Sequence, residues 1–358
     1  MSSRHPSSRR SRRRRLAVLG LAVIPATAAA VAAGAAPQAH AVDAPLPGAT
    51  VTSLSGPHPA ASAATTAAAA AKGSIVYAKS NNVWIMKGNG SGKRAVTTSG
   101  TATVPYRSPS ESDTGVIVAA RGNYIDVMTQ SGQVLNTIDP PMLVDSAGEH
   151  LDGPPTEVAI SPNGKTIAYS FSWYSCPVAL PCGVRLATGY LSTARPTAAR
   201  YATSLYGMPS WIGNTRTLQT GTTSTVELQD ITAPSTHWFY DGDYANPPDD
   251  LSDGELSDDG HQLAVVRGWG DHMTVLWYTV NGDATTGAPP AVPTPNCLTN
   301  ASGGVGSPTW APGGTAIAYA YPQGVYVLTS PATCGGGAAP KLIAPGGSHP
   351  DWSKAALT

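Results

Sequence analysis

A hairpin that recurs along the chain constrains the fold more than any other feature. At Ile160-Ser-Pro-Asn-Gly-Lys-Thr-Ile-Ala-Tyr169 an apolar strand end meets a Ser-Pro-Asn-Gly turn and gives way to a second apolar strand. Pro162 pre-sets φ at the second turn position, and Asn163 and Gly164 tolerate the left-handed φ of a tight hairpin. The idealised pattern is Pro-x-Trp-Ser-Pro-x-Gly-x-x-Ile-Ala-Tyr, and its best copy is Pro308-Thr-Trp-Ala-Pro-Gly-Gly-Thr-Ala-Ile-Ala-Tyr319. Further copies start at Pro209-Ser-Trp211 and Leu256-Ser-Asp-Asp-Gly260. A degenerate one reads Pro105-Tyr-Arg-Ser-Pro109, and half a copy ends the chain at Pro350-Asp-Trp-Ser353.

Counted on the Trp-equivalent position (107, 160, 211, 256, 310 and 352), the spacings are 53, 51, 45, 54 and 42 residues. That is the length of four short strands with their turns, and four-stranded sheets at such a period, set radially, are propeller blades. A third strand follows each of several copies, as in Tyr124–Val127, Val226–Leu228, Thr274–Trp277 and Val325–Leu328, and no segment after Ile75 keeps a helical period. The first repeat opens at its second strand, Ile75–Tyr77, whereas the fragment around Trp352 supplies only a first strand. One blade built from both ends closes the ring, giving an all-β, six-bladed propeller of four-stranded antiparallel blades. Trp211, Trp310 and Trp352 are expected to pack between blades.

These motifs resemble the TolB-like (PD40, WD40-like) β-propeller repeat over roughly residues 73–354, with Arg107, Ile160 and Leu256 standing where the repeat carries Trp. The resemblance implies an exported bacterial propeller and carries little about activity. TolB-like propellers fused to peptidases have no catalytic counterpart here, because no Gly-x-Ser-x-Gly elbow or hydrolase-like region follows the repeats. Lys87-Gly-Asn-Gly-Ser-Gly-Lys93 has the look of a phosphate-binding loop, but it leads into a strand and reads as a hairpin turn.

The 22 basic and 22 acidic residues balance only because residues 1–41 hold seven Arg and no acid; the remainder carries a charge of −7. Such a balance opposes nucleic-acid binding, which needs cations to neutralise phosphates. The arginines precede an uncharged run from Leu16 to Ala36 and an Ala39-His-Ala41 site, which together read as a signal peptide, residues 1–41, cut after Ala41. Twin-arginine export and an uncleaved anchor are the alternatives. Residues 42–72, rich in Ala, Pro, Ser and Thr, read as a flexible linker that cannot bury enough apolar area to offset its ordering entropy. No transmembrane segment is expected after cleavage.

Four cysteines suit an exported chain. The six-residue spacing favours a local Cys176–Cys182 bridge, leaving Cys297 for Cys334. Four cysteines admit three connectivities, and free thiols are the alternative.

Loops joining a fourth strand to the next blade share a rim with those joining second to third strands, and the long insertions fall in these two classes. The segment 140–155 carries Asp145, Glu149, His150 and Asp152; 171–183 carries Trp173 and Tyr174; 241–259 holds eight acids, among them Asp249 and Asp250, beside Tyr244; and 268–272 holds Trp269, Asp271 and His272. Loops on a rigid scaffold are where binding residues concentrate, so these form the candidate ligand-binding rim. No catalytic residue is assigned. No cofactor is expected, although the acidic run has the hard oxygen donors that Ca2+ prefers. The leading expectation is a secreted, monomeric, non-catalytic binding scaffold for an extracellular or envelope protein or glycan. Its rival is a lyase, lactonase or hydrolase acting on an extracellular carbohydrate or lactone, with His150, Asp152 and His272 as ligands or acid/base groups.

Overall fold

The computed structural model describes residues 48–54, 72–145, 148–176, 182–194, 202–204, 206–221, 224–241 and 251–358. The signal segment and most of the linker lie outside them.

The described residues form six antiparallel blades of four strands each. Blade 1 takes its first strand from the chain's end, Ser348–Ser353, and the others from Ser74–Lys79, Asn82–Lys87 and Arg94–Ala95. Blade 2 comprises Tyr106–Glu111, Val116–Arg121, Tyr124–Thr129 and Val134–Ile138. Blade 3 runs through Glu157–Ile160, Thr166–Ser175, Gly183–Ser192 and Ala202–Ser204, and blade 4 through Tyr206–Ile212, Arg216–Gly221, Thr225–Asp230 and Thr236–Tyr240. Blade 5 is Leu251–Leu256, Gln262–Arg267, Thr274–Asn281 and Ala291–Thr299, and blade 6 is Gly306–Trp310, Ala316–Tyr321, Gly324–Thr329 and Lys341–Pro345. Each first strand packs against the first strand of the next blade, and that of blade 6 against that of blade 1. The ring is closed, and the first strands line a central channel.

Burial explains the strand composition. A blade's middle strands are covered on both faces by neighbouring blades, so they read as near-continuous apolar runs such as Ala316–Tyr321, every residue of which is buried. The apolar core is accordingly divided into clusters between adjacent blades, for example Val118, Ile125, Ile167 and Tyr169 between blades 2 and 3. Between blades 3 and 4 the contact is more polar: the buried Tyr190 hydroxyl meets Thr217 Oγ1 at 2.6 Å and accepts from Gln219 Nε2 at 2.8 Å.

Five of the six first strands carry the same irregularity. Ser108, Met208, Asp253, Ser307 and His349 have φ between 45° and 51°, and each precedes Pro or Gly. The ladder slips at each of these points, as between Arg107 and Ser110 or Gly306 and Thr309. A left-handed residue at a bulge re-aims the side chains around it, and here it does so at one level of the channel.

Three readings need correction. The Trp-equivalent of blade 2 is Glu111, not Arg107: Pro109 is the bulge proline, equivalent to Pro308, and Gly115 is the turn glycine. The apparent Ser-Pro of the turn at 108–109 shifted the register by four residues. Second, the linker is not wholly free of structure, because Val51–Ser53 adds a fifth strand to blade 5, paired with Cys297–Thr299. Ala49 is buried there and Thr50 N–H donates to Asn300 Oδ1 at 2.7 Å, so this short stretch does find apolar cover and ladder partners. Third, the acidic run 241–259 is not one loop, because Leu251–Leu256 within it is the first strand of blade 5.

Glu111 holds the closure. Its carboxylate accepts from Ser74 Oγ (2.6 Å) and Ser353 Oγ (2.9 Å) of blade 1 and from Gln130 Nε2 (2.7 Å) of blade 2. Glu111→Ala would leave Ser353 Oγ and an N–H of Gln130 without that acceptor, whereas Ser74 Oγ keeps Ala355 O at 2.8 Å. The change is expected to lower stability by about 3 kcal/mol, since each unsatisfied buried group costs ~1–3 kcal/mol. Urea midpoints check this, and Glu111→Gln, which keeps one acceptor oxygen, should cost less.

Candidate functional site: a loop-bearing rim above an acid-lined channel

The rim is built around a long hairpin in blade 3. Its second and third strands have ten residues each, against six in the second strands of the other blades. Four extra residues at ~3.3 Å each carry it about 13 Å beyond the blade edge. The Cys176–Cys182 disulfide ties its tip.

A second, two-stranded hairpin, Leu143–Val144 with His150–Leu151, packs at its base. Leu143 and Leu151 are buried with Phe171 and Ala187, and the Tyr169 hydroxyl donates to Pro141 O at 2.7 Å. The insertion 140–155 is therefore a buttress for the blade 3 hairpin.

The predicted rim residues divide accordingly. Asp145 is buried and accepts the Glu149 N–H at 2.8 Å, closing the small hairpin's turn, and Asp152 accepts the N–H of Gly153. Both shape the loop. Trp173 is half-buried against the core of blades 2 and 3, while Tyr174 is 69% exposed. On blade 5, Trp269 is 65% exposed and flanks a short 3-10 turn, Gly270–His272, pinned by the His272 N–H to Trp269 O. Asp271 and His272 are exposed on that turn, and His150 is exposed on the small hairpin. The structure thus brings Asp145, Glu149, His150, Asp152, Trp173 and Tyr174 together on blade 3's side and places Trp269, Asp271 and His272 on blade 5. Tyr244, Asp249 and Asp250 lie outside the described residues. Among the described residues no three His, Cys, Asp or Glu side chains converge as metal ligands.

Below the rim, the channel carries groups that sequence reasoning did not single out. Two rings of equivalent positions surround it: Ser110, Ala159, Ser210, Glu255 and Asp351, immediately before the Trp position, line it with the buried Thr309 completing their column, and the bulge residues with Glu157 stand three places before it. Four members of the first ring latch the next blade. Ser110 Oγ accepts the Ile160 N–H (3.1 Å), Glu255 Oε1 that of Trp310 (2.8 Å), Thr309 Oγ1 that of Trp352 (3.0 Å) and Asp351 Oδ2 that of Glu111 (2.6 Å). The tryptophans reinforce this, because the indole N–H of Trp211 donates to Ala159 O and that of Trp310 to Glu255 O, both at 3.0 Å.

Enclosure raises the carboxyl pKa values here. Burial, with repulsion from Glu111 and Asp113 adding to it, pushes Asp351 up to about 7 against the hydrogen bonds it accepts. Burial, then the charge of Asp253, holds Glu157 well above the usual carboxylate range; burial and Asp351 do the same to Glu255. The acids of blade 5 were visible only as part of a run, and Glu157 and Asp351 only as variable positions of the repeat. Aligning the copies column by column would have exposed both rings.

No family model matches the chain, and no curated protein matches it. Among solved structures, TolB from Acinetobacter baumannii is similar over 78% of this chain at 16% identity and a TM-score of 0.49. This chain spans 66% of that TolB chain's length. A chain of the Mitotic Checkpoint Complex (12% identity, 69% of this chain and 82% of that one, TM-score 0.41) is also similar. So is the Cps50 (Swd1) β-propeller domain of Myceliophteria thermophila (12%, 71% and 78%, TM-score 0.43). The likeness extends to the fold alone.

Proposed function

We propose that the protein is an exported, non-catalytic interaction scaffold that captures an extracellular or envelope partner on its loop-bearing rim. One observation carries this reading: the blade 3 hairpin, buttressed at its base and disulfide-tied at its tip, holds Tyr174 out in solvent on the same rim as the exposed Trp269. Large aromatic side chains held rigid and exposed bury much area on contact at little entropic cost, which makes them effective anchors. The two disulfides fit an oxidising compartment, and the Arg-rich, apolar, Ala-x-Ala leader supports export. The catalytic alternative gains little from the placement of its two histidines, since His150 stands on the small hairpin beside blade 3 and His272 on blade 5.

The test is affinity capture from the protein's own culture surface. The joint replacement Trp173→Ala, Tyr174→Ala and Trp269→Ala should reduce capture at least ~100-fold, since anchor residues each contribute ~2 kcal/mol or more, while circular dichroism stays unchanged. Capture retained by the triple variant would move the site elsewhere. Turnover of a glycan or lactone that stops with chelator would favour the enzyme.

A further inference from the structure

The channel contains an arc of polar groups with no protein partner. The Glu157 carboxylate accepts no hydrogen bond from any described residue, although it lines the lumen opposite Asp253. The Ser108 side chain, on the preceding blade and only 6% exposed, likewise carries no hydrogen bond among the described residues. The Ser210 hydroxyl, on the following blade, is shut away without a partner. Equivalent positions elsewhere are engaged: Asp253 Oδ2 accepts the Ser307 N–H at 3.0 Å, and Thr309 Oγ1 and Asp351 Oδ2 hold the latches. The unengaged groups therefore cluster on blades 2 to 4, with Asp253 of blade 5 adding a second carboxylate.

At the opposite mouth a half-exposed cation already meets two of the lining acids. Lys354 Nζ lies 3.1 Å from Asp258 and 3.4 Å from Asp113, on the first turns of blades 5 and 2. Burial works against its charge, yet the contacts to Asp258 and Asp113 keep its pKa above the ordinary value. The mouth on the loop-bearing side has no such occupant near Glu157 among the described residues. The lumen encloses about 150 Å3. At ~30 Å3 per water molecule, that is room for a handful of waters or one side-chain head group.

We infer that the Ser108–Glu157–Ser210–Asp253 arc is a binding site for a guanidinium group on a slim stem, entering from the loop-bearing rim. A guanidinium offers five N–H donors in a planar fork and accepts nothing, which matches two carboxylates and two hydroxyls. A bare divalent ion suits the arc less well, because its acids sit on blades 3 and 5, on separate strands, and no three ligating side chains converge among the described residues. The site stands whatever partner the rim takes. The guanidinium belongs either to a free arginine-like solute or to an arginine side chain in a polypeptide, and both present the same head group.

The test is calorimetric titration of the protein with N-acetyl-arginine methylamide, with free arginine, with N-acetyl-lysine methylamide and with CaCl2. One-to-one binding of the blocked arginine is expected with a Kd of ~1 mM or tighter, weakened at least ~10-fold by Glu157→Gln, as for loss of a charge-assisted hydrogen bond. Glu157 has no protein partner, so this variant should melt at or above the wild-type temperature; Ser108→Ala is the second variant should it not fold. Tighter binding of free arginine than of the blocked form assigns a solute, and the reverse assigns a polypeptide side chain. No saturable binding of either arginine form, affinity unchanged in the variants, or Ca2+ binding that displaces the probe overturns the proposal.

Discussion

Replacing Cys297 and Cys334 by serine should lower stability by about 4 kcal/mol, the largest loss expected from any covalent change in the ring. The bridge joins the fourth strand of blade 5 to the turn after the third strand of blade 6, 37 residues apart. In the chain-entropy account, a loop of that length costs the unfolded chain ~4 kcal/mol of lost freedom when closed. Native contacts around the bridge make it more than a tether. Cys297 is fully buried and pairs with Ser53 of the added strand, Asn296 Nδ2 donates to Ala332 O, and the buried Trp277 indole donates to Pro331 O. Losing the bridge should loosen both the 331–337 turn and the Val51–Ser53 strand. At roughly 2–4 °C per kcal/mol, calorimetry should show a fall of about 8–15 °C. The Cys176–Cys182 bridge closes a loop of six residues and contributes ~2 kcal/mol by the same account, with its effect confined to the hairpin tip. Equal melting temperatures for the Cys297→Ser/Cys334→Ser variant and the wild type would refute this ranking.

The scaffold was legible in the sequence because each repeat writes its constraints locally. The turn glycine, the bulge proline and the Ile-Ala-Tyr strand recur, and a strand such as Ala316–Tyr321 needs a neighbouring blade on both faces. The split of blade 1 between Ser348–Ser353 and Ser74–Lys79 followed from counting strands. Blade 2 misled because its Trp position holds Glu111. There the inter-blade contact is a hydrogen-bonded carboxylate, and no apolar signature marks it. The channel was less legible still. Its residues are single positions on strands far apart in sequence, and only ring closure brings Glu157, Asp253 and Asp351 to one lumen. The rim is harder to read from charge. Asp145 and Asp152 stand out as clustered acids, and each also accepts a turn N–H, a local role that charge counting cannot separate from ligand binding.

The channel carboxylates should also make stability fall with rising pH, and Asp351→Asn should reverse much of that fall. Burial lifts Asp351 to about 7 from an ordinary value of 3.8. A group whose pKa is higher in the folded chain than in the unfolded one binds its proton more tightly when folded. Its stabilising contribution is complete below about pH 4 and is lost as pH rises through 7. Glu111, Glu157 and Glu255 shift the same way, each chiefly through burial. The opposing groups, Asp230 beside Arg216 and Asp259 and Asp283 with their turn hydrogen bonds, have lowered values. Their contributions vary only below about pH 4, outside the window. At about 1.4 kcal/mol for each tenfold change in proton affinity, the effect of Asp351 is on the order of 4 kcal/mol at most, since the lumen admits some solvent. The amide of the Asp351→Asn variant would still offer an oxygen to the Glu111 N–H while removing the enclosed charge. Asp351→Asn should therefore match the wild type near pH 4 and exceed it at pH 8. Urea denaturation across that range decides the matter: a wild-type stability that is flat or rising from pH 4.5 to 8, or a variant less stable than wild type at pH 8, would show that channel solvent screens these acids fully. A fall with pH would mean the ring keeps its acids at a cost in stability, which is the condition expected of a lumen whose charge is completed by a bound cation.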